Sequence, residues 1–178
     1  MINHEHKFIF IHINKCAGTS VAESLLKCGG ERPLGSHRTL LDTIKLCKGD
    51  PDDYFKFTFV RNPWDKMVSF YYFHHDIRRW DFNWPWPKGS APEFKKFIHE
   101  IYSKSFNWEP IYPRSNSYDD TLCPYYQKIP LRVSSSLRWV LDEKGSILAD
   151  FIGKFENLQC DFNSICEKIG IPPSKLSH

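Results

Sequence analysis

Apolar residues in this chain come in short unbroken runs that alternate with stretches at helical spacing. After Lys7 the sequence reads Phe-Ile-Phe-Ile-His-Ile to Ile13, aromatic and β-branched with hardly any polar alternation, as in a strand buried on both faces. A loop of small residues follows, Asn14-Lys15-Cys16-Ala17-Gly18-Thr19-Ser20, and then Val21, Leu25 and Cys28 at helical intervals with Gly29-Gly30 as a stop. The same order recurs at Tyr54–Val60, a second buried strand that runs into Arg61-Asn62-Pro63, where Asn62 suits an N-cap and Pro63 the first helical position. That helix is predicted to reach about His75, and a shorter one, Thr39–Leu46, is predicted between the two units with Thr39 as its cap.

From 76 to 136 the period is lost among Trp80, Trp84, Trp86 and the prolines between Pro85 and Pro130, with one predicted helix, Phe94–Tyr102, inside it. Beyond it, Leu137–Asp142 and Ile147–Glu156 read as strands around a Glu143-Lys144-Gly145 turn. Asn157–Ile169 reads as an amphipathic helix through Leu158, Phe162, Ile165 and Ile169, ended by Gly170. Strand-loop-helix units repeated in this way predict an α/β fold, a mainly parallel central sheet flanked by helices. The expected organisation is one domain over 1–178, with 76–136 as an irregular insert and candidate binding region.

Composition narrows the function classes. With 178 residues, 41% hydrophobic and 16% aromatic, the chain has enough apolar content for a core and is unlike a disordered segment. A net charge of +3 favours an anionic ligand in a local cleft and is too weak for a general nucleic-acid binder. Apolar runs such as Phe8–Ile11 fall far short of the ~20 residues a membrane-spanning helix needs. Met1–Lys7 has no apolar stretch of signal-peptide type, and the 6 cysteines lack a CxxC spacing or dense framework. The expectation is a soluble cytoplasmic protein with free thiols.

A loop of small residues between a buried strand and a helix gathers backbone N–H groups, the helix dipole and the Thr19 and Ser20 hydroxyls around one point suited to a phosphate. Lys15 adds a full charge but precedes Gly18, whereas a nucleoside triphosphatase loop of the Walker type has its lysine after the glycine. A plain turn with an incidental lysine is the alternative. Arg61 closes the second buried strand, where open parallel sheets place ligand contacts, and Lys66 and Ser69 share a face of the next helix. Alone, Arg61 could equally be a surface arginine beside a capped helix; two anion-ready loops together suggest one ligand with two separated phosphate-type groups. A cysteine-phosphatase reading of Cys16 fails, because CxxxxxR would need arginine where Ala22 stands.

These segments resemble a known family, the sulfotransferases that use 3'-phosphoadenosine 5'-phosphosulfate, in particular the carbohydrate sulfotransferase (sulfotransferase family 2) branch. Phe10–Ser20 (FIHINKCAGTS) is similar to its 5'-phosphosulfate loop, Phe59–Tyr72 (FVRNPWDKMVSFYY) to its 3'-phosphate motif RNPxxRxxSxY, and Asp150–Phe162 (DFIGKFENLQCDF) to its C-terminal signature. The resemblance implies a P-loop-like fold, with Lys15, Cys16, Ala17, Gly18, Thr19 and Ser20 around the 5'-phosphosulfate and Arg61 and Ser69 on the 3'-phosphate. The product would be adenosine 3',5'-bisphosphate. Sulfuryl transfer should resemble loose phosphoryl transfer, in which Lys15 neutralises charge growing on the leaving oxygen. No metal is expected in this chemistry, and the His and Cys residues lack zinc spacing.

A base for the acceptor hydroxyl is sought among 8 histidines. His37, on the loop Gly35-Ser36-His37-Arg38-Thr39, matches the position at which family members carry an acceptor-side base; a solvated loop histidine is the alternative. His12 reads as a hydrogen-bonded core residue, and His74-His75 as complements to a helix dipole. Trp80, Trp84 and Trp86 with Arg78 would suit an anionic sugar, or would simply pack their segment. The expected partner is a carbohydrate, glycolipid or other hydroxyl acceptor; a silent nucleotide or anionic-glycan binder and a kinase-like enzyme are the rivals. Three departures from the family stand out: Lys66 replaces the second arginine of RNPxxR, Ser134-Ser135-Ser136 precedes Leu137-Arg138-Trp139 where relatives carry Pro-Gln before the tryptophan, and His178 comes early.

Overall fold

The computed structural model describes residues 1–29, 38–76, 92–103 and 135–177. In chain order these form β1 (Ile2–Asn3), β2 (Phe8–Ile11), α1 (Gly18–Leu26), α2 (Leu40–Ile44), β3 (Phe55–Val60), α3 (Pro63–Asp76), α4 (Phe94–Ile101), β4 (Phe151–Lys154) and α5 (Leu158–Ile169). They group into two compact units, Met1–Asn62 with Ser135–His178, and Pro63–Ser134.

The first unit carries a four-stranded sheet in the order β1-β2-β3-β4. Its three longer strands are parallel, with Phe8 opposite Phe55 and Phe57 opposite Phe151, while β1 runs antiparallel at the edge. The fold is therefore α/β with a mostly parallel sheet, as the repeated strand-loop-helix pattern predicts. Alternation sends Phe8, Phe10, Phe57 and Phe59 to one face, where they pack with Val21, Ala22 and Leu25 of α1 and with Leu158, Phe162, Ile165 and Ile169 of α5. Each such ring, buried to under 2% exposure, contributes about 1.5–3 kcal/mol relative to exposure. On β4 only glycine fits at 153, because a Cβ there would run into the Phe59 ring.

Register between β3 and β4 is pinned at their entry. Asp150 Oδ2 accepts the Lys56 backbone N–H at 2.7 Å and lies 3.3 Å from Lys56 Nζ, which also donates to the Tyr54 and Pro51 carbonyls at 3.0 and 3.2 Å. A nearly buried ammonium is thus satisfied on three sides, the condition for tolerating it in a sheet. Helix ends follow the expected signals. Thr39 Oγ1 accepts from Asp42 N while donating to Asp42 Oδ2, and Gly170 closes α5 with φ 70°.

Two predicted strands differ. Ser136–Trp139 forms a 3-10 turn, with the Ser135 side chain accepting from Leu137 N, and only the Leu141–Ile147 bridge remains of the expected hairpin. The turn itself stands where expected: the Asp142 N–H donates to the Ser146 carbonyl at 2.9 Å and the Asp142 carboxylate accepts from Lys144 N and Ser146 N, while the 3-10 turn at Ser136–Trp139 takes the first strand out of the ladder. Phe151–Lys154 is accordingly shorter than Ile147–Glu156, and Phe155–Asn157 coils into another 3-10 turn. The edge strand β1 was hidden in the polar N-terminal stretch, where Ile2 and Asn3 are buried against Ile9 and Phe8.

In the second unit Pro63 opens α3, and α4 packs on it through aromatic edges. The Tyr71 ring meets Phe94 and Phe97 at 5.4 and 5.1 Å between centroids, its hydroxyl donating to the Pro92 carbonyl at 3.1 Å. Among the described residues no helix is long and apolar enough to cross a membrane.

Candidate functional site

The ends of β2 and β3, neighbours in the sheet, each release a loop at the carboxyl edge, the place where parallel α/β sheets gather ligands. After β2 the backbone turns through two left-handed non-glycine residues, Lys15 at φ 61° and Ala17 at φ 59°. Such residues cost roughly 1–3 kcal/mol each and concentrate at functional sites. Turns of this hand are a way for a chain to curl N–H groups into an anion-binding concavity. Ala17 gives α1 no side-chain cap and its first turn holds no acidic residue, so the dipole's positive end is left for a ligand.

Close packing supports the loop from below. The half-buried His12 ring lies over Gly18, where any Cβ would overlap it, and stacks on Phe10 at 6.4 Å. His12 therefore belongs to the floor of the loop rather than to the enclosed core. Cys16 is buried, Thr19 is exposed and Ser20 is intermediate. Asn14, 7% exposed, keeps its Oδ1 without a hydrogen-bond partner.

After β3, Arg61 sets its guanidinium carbon 4.1 Å above the centre of the Phe155 ring, and its Nε is buried without an acceptor. The next residue is held as well: Glu156 Oε1 accepts the Asn62 backbone N–H at 2.8 Å. That bond, above all, holds the Glu156 carboxyl below the usual carboxylate range; its own backbone N–H and the cations Arg61 and Lys154 act the same way, against partial desolvation. Across the edge, burial lowers the Lys15 ammonium from its ordinary value, and the Arg61 charge lowers it further. Two cations close enough to disfavour each other are an electrostatic cost that a bound anion turns into attraction.

Of the residues singled out from sequence, the structure brings Lys15 and Arg61 into electrostatic reach of one another, with Cys16, Ala17, Gly18, Thr19 and Ser20 on the Lys15 loop. Ser69, half-buried, and Lys66, buried, belong to α3 in the other unit. His37, Arg78, Trp80, Trp84 and Trp86 lie outside the described residues. Among the described residues no three His, Cys, Asp or Glu side chains converge as a metal site. Sequence reasoning missed Asn14, Phe155 and Glu156; the only signal for the last two was their place in the Lys154-Phe155-Glu156-Asn157 stretch of the third motif.

The family model described as "Sulfotransferase family" matches residues 1–175. A protein of Archaeoglobus fulgidus described as uncharacterized is 31% identical over 121 residues, covering 68% of this chain and 72% of its own length. No solved structure gives a significant match.

Proposed function

The chain belongs to sulfotransferase family 2, and from that premise we propose that it moves a sulfuryl group from 3'-phosphoadenosine 5'-phosphosulfate to a hydroxyl of a carbohydrate or glycolipid. The observation that carries this reading is that Lys15 and Arg61, on the loops that leave two adjacent parallel strands, come close enough for the Arg61 charge to lower the pKa of the Lys15 ammonium. When bound, the nucleotide supplies an activated sulfuryl group at one end and a 3'-phosphate at the other.

In this reading Lys15, the hydroxyls of Thr19 and Ser20 and the N–H groups from Cys16 to Ser20 hold the 5'-phosphosulfate, and Arg61 with Ser69 holds the 3'-phosphate. The Lys15 ammonium neutralises charge as it grows on the leaving oxygen, an effect larger in a partly desolvated site than in water. His37 takes the proton of the acceptor hydroxyl. Arg78, Trp80, Trp84 and Trp86 supply the acceptor surface, and the cationic work falls to lysine and arginine without a metal.

The test is thermal unfolding with adenosine 3',5'-bisphosphate, using ATP and AMP as controls. A ligand at about 100 times its Kd adds roughly 2.7 kcal/mol, which for a chain of this size is a rise of about 5–11 °C. A rise confined to the bisphosphate supports the reading. No rise, or an equal one with ATP and AMP, overturns it.

A further inference from the structure

We infer that Phe155 and Glu156 are positioning residues for Arg61, and that through it they give the site its preference for a nucleotide with a 3'-phosphate. The inference deepens the nucleotide reading above and rests on it. Strand β4 pairs with β3 so that Lys154 lies opposite Val60, which brings Phe155 and Arg61 out of the sheet at the same level. A guanidinium is a planar fork whose donors all lie in its plane. With its carbon 4.1 Å from the centre of the Phe155 ring, the cation is held by an aromatic face, a contact that uses none of its N–H donors and so leaves them to a phosphate.

What is absent matters as much. Among the described residues no carboxylate lies within ion-pair distance of Arg61, and its buried Nε has no acceptor. A structural arginine is ordinarily met by a carboxylate or a carbonyl, which a ligand would have to displace; an aromatic face holds the cation without occupying a single N–H. Glu156 acts one residue further on. By accepting the Asn62 N–H at 2.8 Å it fixes the peptide that follows Arg61, and so the direction in which the arginine leaves the main chain.

Calorimetric titration of the full chain with adenosine 3',5'-bisphosphate and with AMP, which lacks the 3'-phosphate, tests this. Phe155→Leu, apolar and of similar bulk, should weaken the bisphosphate by about 10-fold and leave AMP within about 2-fold, whereas Phe155→Tyr should restore it. Glu156→Gln keeps an acceptor for Asn62 and should bind nearly as the wild type does; Glu156→Ala should lose bisphosphate affinity selectively. An unchanged ratio between the two ligands in Phe155→Leu, whether both weaken or neither does, would assign Phe155 a merely architectural role and sink the inference. A wild-type protein that binds both ligands alike would overturn the nucleotide reading itself.

Discussion

The two loops at the carboxyl edge do similar work by different means. The loop after β2 is self-contained: Lys15 and Ala17 carry its bend in their own backbone, and its floor, His12, lies on the same seven-residue stretch as Gly18. The turn after β3 takes its rigidity from elsewhere, since Arg61 rests on Phe155 and Asn62 is held by Glu156, each partner 94 positions along the chain. One anion site is thus written locally and the other exists only after the sheet has formed. Damage to the first should appear as lost chemistry or lost loop shape, and damage to the second as lost ligand preference.

The strongest way to break this comparison is Lys15→Ala. If the lysine stabilises charge that develops only as the reaction proceeds, kcat should fall about 100- to 1,000-fold, as on removal of one oxyanion donor. Affinity for the bisphosphate product should change far less, and folding should hold, because burial and the Arg61 charge both disfavour the charged form of Lys15. Steady-state kinetics with a sugar acceptor would decide it: a full-rate variant would remove Lys15 from the chemistry and leave the two loops differing only in architecture.

Gly18→Ala probes the floor of the first loop. The new methyl and the His12 ring would claim the same space, so either the ring or the first turn of α1 must shift, at a cost of about 1–3 kcal/mol. Unfolding should occur about 2–12 °C lower, and nucleotide binding should weaken with it. Combining the change with His12→Ala should return part of the loss, a coupling that a double-mutant cycle measures. Strictly additive losses would mean that the ring does not support the loop.

The same contrast explains what could be read in advance. Strands β2 and β3 announced themselves as Phe-Ile-Phe-Ile and Phe-Lys-Phe-Thr-Phe-Val, and Gly170, Pro63 and Thr39 marked helix ends through preferences of single residues. Arg61 stood out because it closes such a strand, and Lys15 because it adds a charge to the loop of small residues that follows one. The partners of Arg61 did not, since aromatic stacking and a side-chain bond to a distant N–H leave no periodic trace. The predicted hairpin around Glu143-Lys144-Gly145 kept its turn and the Leu141–Ile147 bridge but lost its length for a related reason: residues 136–139 coil into a 3-10 turn capped by the Ser135 side chain, and alternation does not weigh side-chain acceptors against a ladder.

The smallest expected effect falls on the residue where local writing is most visible. Ala17 sits at φ 59°, ψ 15°, a conformation that costs an L-residue roughly 1–2 kcal/mol and glycine almost nothing. Yet Ala17, partly buried, packs against the core cluster, and full burial of a methyl is worth about 0.8 kcal/mol. Glycine would also enlarge the conformational freedom of the unfolded chain, by about 0.4–1 kcal/mol. These contributions nearly cancel, so Ala17→Gly should unfold within about 2 °C of the wild type and bind the bisphosphate as well or slightly better. A fall of more than about 4 °C would mean that the methyl, not the bend, is what position 17 provides, and the first loop would then depend on the core below it much as the second depends on β4.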